Sequence, residues 1–312
     1  MNTKIATMCR LFNGGACAGA VLFLASSVSA QNIAPAQNLF VANWYYPGAI
    51  YEFTPGGGQS TFYSGGLGEP EGLAFDSAGN LFVADSYDGI IDKITPSGTE
   101  STFSSGWGSF SINSLTFNNA GNLFAVDNAN GNIYEFTPGG AASVFASGLY
   151  KPGGLAFNAA GNLFASDASG NVYEYTPGGA RSTFASGVVA PFALAFNSAG
   201  NLFVTYGGTG LGNGGVAEFT PGGVESTFAT GLYNPNYLAF DRAGNLFVAD
   251  DGSGNVIEIT PDGTENTFAS GLGNATGLAF QGQTLPVPEP SALGLLAVGA
   301  TALLASRRKL VV

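Results

Sequence analysis

Histidine is absent from the 312 residues of this chain, and with it go Ser-His-Asp and Cys-His nucleophile arrangements and His-ligated zinc. Cysteine is nearly absent too. Its two copies, Cys9 and Cys17, lie close to the N-terminus, so the residues beyond them form no disulfide framework and run no thiol chemistry. Positive charge is scarce: Lys and Arg number 9 against 21 Asp and Glu. Between residues 38 and 280 the basic residues are Lys93, Lys151, Arg181 and Arg242 against 20 acids, a formal balance of −16. Phosphate backbones are held by Lys and Arg, so the composition predicts no nucleic-acid partner. Helical apolar periodicity is missing from the same stretch.

What is present is repetition. Phrases close to Gly-Leu-Ala-Phe, Asn-Leu-Phe-Val-Ala-Asp, Ile-Tyr-Glu-Phe-Thr-Pro and Ser-Thr-Phe recur in that order. The second begins at Asn38, Asn80, Asn122, Asn162, Asn201 and Asn245, a spacing of 39 to 44 residues. One four-stranded propeller blade has that length, about 40 residues. The first phrase falls at Gly72 to Phe75, Ser114 to Phe117, Gly154 to Phe157, Ala193 to Phe196, Tyr237 to Phe240 and Gly277 to Phe280. None precedes Asn38, and no further phrase follows Phe280. The pattern predicts an all-β, six-bladed β-propeller of four-stranded antiparallel blades over residues 38–280, closed 3+1 by the strand 277–280. Closure removes the open sheet edge that would template aggregation.

Local chemistry supports the hairpins. Asp76-Ser-Ala-Gly-Asn80 and its equivalents carry Asx and Gly turn residues between strands one and two. Pro55-Gly-Gly, Pro138-Gly-Gly, Pro177-Gly-Gly and Pro221-Gly-Gly, between strands three and four, suggest type II turns. Asp85, Asp127, Asp167 and Asp250 close strand two in most repeats, which reads as a structural hydrogen-bonding role. Glu52, Glu135, Glu174, Glu218 and Glu258 share one position of strand three, with Lys93 in the sixth copy, and read as a solvated rim.

The two ends differ from the repeats. Lys4 and Arg10 precede an apolar run, Ala16 to Leu24, and small residues at Val28-Ser-Ala30, so residues 1–30 read as a secretory signal followed by a linker at 31–37. After a linker at 281–286, Val287-Pro-Glu-Pro290 leads into the uncharged stretch Ser291 to Ser306 and then Arg307-Arg-Lys309. Residues 287–312 resemble the PEP-CTERM sorting signal of bacterial exported proteins. Sixteen helical residues span only about 24 Å, short of a hydrocarbon core of roughly 30 Å, and a basic tail stays cytoplasmic. The segment suits a transient membrane anchor. The resemblance implies export from a Gram-negative cell, processing by an exosortase, and a destination in the envelope, on the cell surface or in extracellular matrix.

The repeats resemble NHL-type propellers, most closely at Gly72 to Asp85 and Leu238 to Asp250. That fold serves enzymes, RNA binders and scaffolds alike. Two places before each central Leu stand Glu71, Asn113, Gly153, Phe192, Asn236 and Thr276, where strand one meets the channel. The Glu and two Asn offer oxygen ligands for a hard cation such as Ca²⁺. Glu71 and Asn113 match the first two positions of a ligand set that the gluconolactonase and senescence-marker-protein family uses to hold a divalent metal. That similarity implies a metal-dependent lactonase as the alternative function, with Glu71, Asn113 and Asn236 as metal residues. Gly153 and Phe192 depart from the family pattern, since neither can coordinate through its side chain.

Variety between repeats concentrates in the loops before strand one and between strands two and three, which open on one face. Those loops carry Trp44, Tyr45, Tyr46, Tyr87, Trp107, Phe110, Tyr150, Tyr206 and Tyr233. Rings there can serve a ligand or fold over their own loops. The ligand reading assigns Trp44, Tyr45, Trp107, Phe110, Tyr150, Phe192 and Tyr233 to binding a glycan or protein of the envelope or matrix, with no catalytic residue.

Overall fold

The computed structural model describes residues 37–207 and 212–282. The expected secretory signal, residues 31–36 of the first linker, residues 283–286 of the second, the sorting tail with its anchor, and residues 208–211 lie outside the described residues. Among the described residues no helix is long and apolar enough to cross a membrane.

Each repeat folds as its phrases dictate. The chain enters through β1 (Leu39–Asn43), β2 (Gly48–Phe53) and β3 (Gln59–Leu67). The second blade is β4 (Pro70–Phe75), β5 (Leu81–Asp85), β6 (Ile90–Ile94) and β7 (Glu100–Ser105). The third is β8 (Ile112–Phe117), β9 (Leu123–Asp127), β10 (Asn132–Phe136) and β11 (Ala142–Ala146). The fourth is β12 (Pro152–Phe157), β13 (Leu163–Asp167), β14 (Asn171–Tyr175) and β15 (Arg181–Ser186). The fifth is β16 (Pro191–Phe196), β17 (Leu202–Tyr206), β18 (Gly214–Phe219) and β19 (Glu225–Leu232). The sixth is β20 (Pro235–Phe240), β21 (Leu246–Asp250), β22 (Asn255–Ile259) and β23 (Glu265–Ala269). Strand β24 (Ala275–Phe280) then pairs antiparallel with β1, Leu39 opposite Phe280, and completes the first blade in the order β24-β1-β2-β3.

The closing strand begins two residues earlier than the repeat phrase, at Ala275 rather than Gly277. The same extension holds elsewhere, because a register shift lets Pro70, Pro152 and Pro235 pair with Asp85, Asp167 and Asp250. Proline, lacking a donor, is tolerated at such a strand start beside a bulge.

Three Phe from each repeat build one joint between blades. Phe82 of β5 takes Phe103 of its own blade at 5.0 Å and Phe117 of the next blade at 5.1 Å, both edge-on. The same triad recurs at Phe40, Phe124, Phe164, Phe203 and Phe247, the last meeting Phe280 of β24 across the seam. Edge-to-face pairs add about 0.5–1.5 kcal/mol each beyond their buried area. The repeated Phe thus fixes each blade to its neighbour as well as filling its own sheet.

The Pro-Gly-Gly turns are not type II. Gly57 N–H donates to Thr54 O and Thr54 N–H to Gly58 O, and the left-handed residue is Gly57 (φ 81°) rather than Gly56. That is a type I turn followed by a bulged glycine, the usual three-residue hairpin. The Ala-Gly-Asn turns close the same way, with Gly79 at φ 83° and Asp76 Oδ1 accepting from Ala78 and Asn80.

The acidic belt on strand three is bonded into the fold. Asn38, Asn122, Asn162 and Asn201 donate through Nδ2 to Glu52, Glu135, Glu174 and Glu218 at 2.6–2.7 Å. Where the turn opens with Asp instead of Asn, the amide goes there: Asn80 to Asp76 and Asn245 to Asp241. Lys93, the exception in the belt, lies 3.9 Å from that same Asp76.

Candidate functional site at the loop face and channel mouth

The loop before strand one and the loop after strand two are stitched together by backbone bonds such as Ser86 N to Glu69 O and Ala168 N to Tyr150 O. The strand-two carboxylates tighten the stitch. Asp85 accepts from Gly68 N at 2.6 Å, Asp250 from Tyr233 N at 2.7 Å and Asp167 from Tyr150 N at 3.2 Å, while Asp127 binds Asn130. All four are buried. Their structural role is therefore observed, and it presents Tyr150 and Tyr233 to solvent as exposed rings.

On the side where blades one to three meet, exposed rings form a row. Tyr46 lies 5.9 Å from Tyr87, and Tyr87 lies 5.9 Å from Phe110. They are 72%, 47% and 50% exposed. Phe110 is held at φ 61°, a left-handed conformation that costs a residue with a Cβ about 1–2 kcal/mol. Tyr45 is exposed on one side and seated on the other, where Gly273 leaves room: a Cβ on Gly273 would meet the Tyr45 ring at 2.4 Å.

Trp107 belongs elsewhere. Its ring packs at 4.7 Å on Tyr134 and its indole N–H donates to Ser104 Oγ at 3.1 Å. It stands where the other repeats carry Leu67, Leu149, Val188, Leu232 and Leu272, all buried. The Gly-Leu alignment is the signal for this packing.

At the mouth of the channel Trp44 is half-buried beside Glu71. Burial pushes the Glu71 carboxyl up to about 7, hydrogen bonds from Ser86 and Trp44 pull it back, and the charges of Glu69 and Asp251 push it further up. Asn113 is buried with its Oδ1 unpartnered. The Asn236 carbonyl accepts from Thr205 Oγ1 at 3.3 Å.

Tyr237 decides what the channel can hold. Five blades place Gly72, Ser114, Gly154, Ala193 and Gly277 directly before the central Leu; the sixth places Tyr237 there. Its buried phenol crosses to the carbonyl of Asn113, three blades away around the ring, and its ring stands edge-on to Phe192 at 5.5 Å. Desolvation, then the Glu71 carboxylate, raise the phenol far above its usual range, so it stays a neutral donor. The structure thus places Glu71, Asn113, Tyr237 and Phe192 around one channel, while Tyr45, Phe110, Tyr150 and Tyr233 lie on exposed loops.

The residues do not fit a bound Ca²⁺. Two of six ring positions, Gly153 and Phe192, bring no oxygen side chain, and Tyr237 occupies the space between the blades. Among the described residues no three acidic side chains converge as a metal-holding group. Sequence reasoning missed Tyr237 and the mouth acid Asp251. The exchange of a small residue for Tyr at position 237 was visible in the repeats; the proximity of acids from separate blades was not.

A family model for the PEP-CTERM protein-sorting motif matches residues 286–309. No curated protein matches the chain. A chain in the crystal structure of the nidogen/laminin complex superposes with a TM-score of 0.69 at 19% identity, covering 80% of this chain and 99% of that one. A gluconolactonase from Xanthomonas campestris superposes with a TM-score of 0.60 at 18% identity, covering 67% of this chain and 78% of that one. A protein of unknown function from Bacteroides caccae gives 0.60 at 16% identity, covering 80% and 100%. At these identities the likeness shows the fold alone. This chain is therefore a six-bladed propeller of the general shape found in gluconolactonases, carrying a PEP-CTERM sorting motif that marks it for export through an exosortase.

Proposed function

We propose that the exported propeller is a binding protein of the cell envelope or extracellular matrix, using its loop face to hold a glycan or protein. The observation that carries this reading is the row Tyr46, Tyr87 and Phe110, three exposed rings on three loops with Tyr87 against each of the other two. Exposed aromatic rings on a rigid scaffold suit stacking on sugar faces or on a partner's apolar surface. A propeller of similar shape within the nidogen/laminin complex supports the protein version of the reading. The tail anchors the chain transiently before an exosortase cuts near Pro290. Tyr237, whose phenol reaches across the channel to Asn113, favours this reading over a metal-dependent hydrolase.

Purified mature protein, mixed with envelope and matrix fractions of an exosortase-bearing Gram-negative cell, is expected to pellet with one of them. Tyr87→Ala with Phe110→Ala lowers that retention at least tenfold. Equal retention of wild type and variant would place binding off this face.

A further inference from the structure

The channel mouth holds hydrogen-bond acceptors that lack donors. Glu69 Oε2, Asn113 Oδ1 and Asp251 Oδ1 are buried and have no partner, and Asn113 as a whole is 6% exposed. Glu71 and Tyr237 tie these groups together. Glu71 feels the charges of Glu69 and Asp251, and Tyr237, bonded to Asn113, feels that of Glu71. Asn113 occupies on β8 the channel position that Glu71 occupies on the neighbouring β4.

Basic residues do not answer them. Lys93 lies beside Asp76 at the opposite turns, Arg181 covers Tyr173, Arg242 donates to Gly282 O, and Lys151 precedes β12 on the fourth blade. A site whose unpartnered atoms are all acceptors, with exposed rings on the same loop face, is complementary to a ligand that brings donors and positive charge. The acids come from different blades and do not converge on a point, which suits a tetrahedral ammonium with three divergent N–H donors better than a metal ion.

Resting on the loop-face reading above, we infer that the mouth binds the ammonium group of an amino sugar in a polysaccharide, its pyranose ring laid against the Tyr46–Tyr87–Phe110 row. The ring row favours a sugar over a lysine side chain, because a lysine fills the mouth but leaves those faces uncovered. The formal −16 balance of the propeller draws such a polycation toward the face.

The test uses mature protein and two probes alike in their sugar rings, a hexamer of glucosamine with free amines and its fully N-acetylated counterpart. Calorimetry at pH 6, in two buffers of different ionisation enthalpy, reads affinity and proton exchange together. The free-amine hexamer is expected to bind at least tenfold more tightly and to release a proton, since Glu71 is largely protonated there and gives up its proton on meeting an ammonium. Glu71→Gln removes the preference and the proton release; Asp251→Asn weakens the preference alone. Phe110→Ala weakens both hexamers. Equal or tighter binding of the acetylated hexamer overturns the ammonium site and leaves the loop-face reading standing. Binding of an oligolysine peptide in place of either hexamer overturns the amino-sugar assignment in favour of a protein ligand. Binding of none of the three overturns the ammonium site, and the fractionation assay above then judges the loop face by itself.

Discussion

The phenol of Tyr237 donates to the main-chain carbonyl of Asn113, joining the sixth blade to the third across the channel. Most contacts of a propeller run between adjacent blades; this one spans the ring. Tyr237→Phe keeps the ring and deletes the bond, with an expected loss of about 1 kcal/mol. Tyr237→Gly, the residue at the matching place in three other blades, empties the channel and is expected to cost about 3–5 kcal/mol, the range for removing a buried aromatic ring. Urea unfolding reads both. A Gly variant as stable as the Phe variant would show that the cavity collapses without penalty.

Asp92 gives stability a pH dependence. It sits on β6 where β2, β10 and β14 place Tyr51, Tyr134 and Tyr173, is 1% exposed, and leaves Oδ2 unpartnered. Burial, then the charges of Glu100 and Asp85, push its carboxyl from 3.8 to about 7, against a hydrogen bond from Thr102. Between those two values the native state holds a proton that the unfolded chain has released. The contribution is therefore complete below pH 3.8 and is lost as pH rises through about 7. Glu71 acts with the same sign. Melting temperatures taken from pH 5 to pH 8 are expected to fall more steeply for wild type than for Asp92→Asn. Parallel curves would assign the slope to other groups.

The Asn–Glu bonds between strands two and three supply their own control. Asn162 donates to Glu174 at 2.6 Å, a bond to a charged group worth about 1.5–3 kcal/mol when buried and less at this half-buried site. Glu174→Ala is expected to cost about 1 kcal/mol. In the sixth blade Asn245 turns to Asp241 instead, so Glu258→Ala is expected to stay within about 0.5 kcal/mol of wild type. Equal costs by chemical denaturation would mean that the Asn partner contributes nothing.

Phe110 should trade stability against binding. Its matched position before β24 is Gly273, which takes φ 71° as Phe110 takes φ 61°. Phe110→Gly relieves a strain of about 1 kcal/mol and removes one ring of the exposed row. The expected variant melts no lower than wild type and binds at least tenfold more weakly. A variant that is both less stable and fully active would make Phe110 a packing residue.

Blade number and seam were legible because hairpin chemistry recurs in register from Asn38 to Phe280, and each hairpin dictates its own antiparallel pairing. The turn type was not, because Pro55-Gly56-Gly57 offers two glycines and only loop closure chooses which one turns left-handed. The packing of Trp107 on Tyr134 was legible only from its alignment with buried Leu149, not from its side chain. The mouth was the least legible part. Glu69 and Asp251 belong to loops 182 residues apart by number, and only the curvature of the ring brings both close enough for their charges to act on Glu71.

The pairing of Leu39 with Phe280 sets how the molecule is mounted. Both ends of the propeller leave from that pair, joined by Gln281 N to Asn38 O and Gln37 Nε2 to Gln281 O, at the level of the Ala-Gly-Asn turns. The sorting motif begins only a few residues on, at 286. The chain toward that motif therefore leaves the propeller on the side of the Ala-Gly-Asn turns, opposite the loops that carry Tyr46, Tyr87 and Phe110.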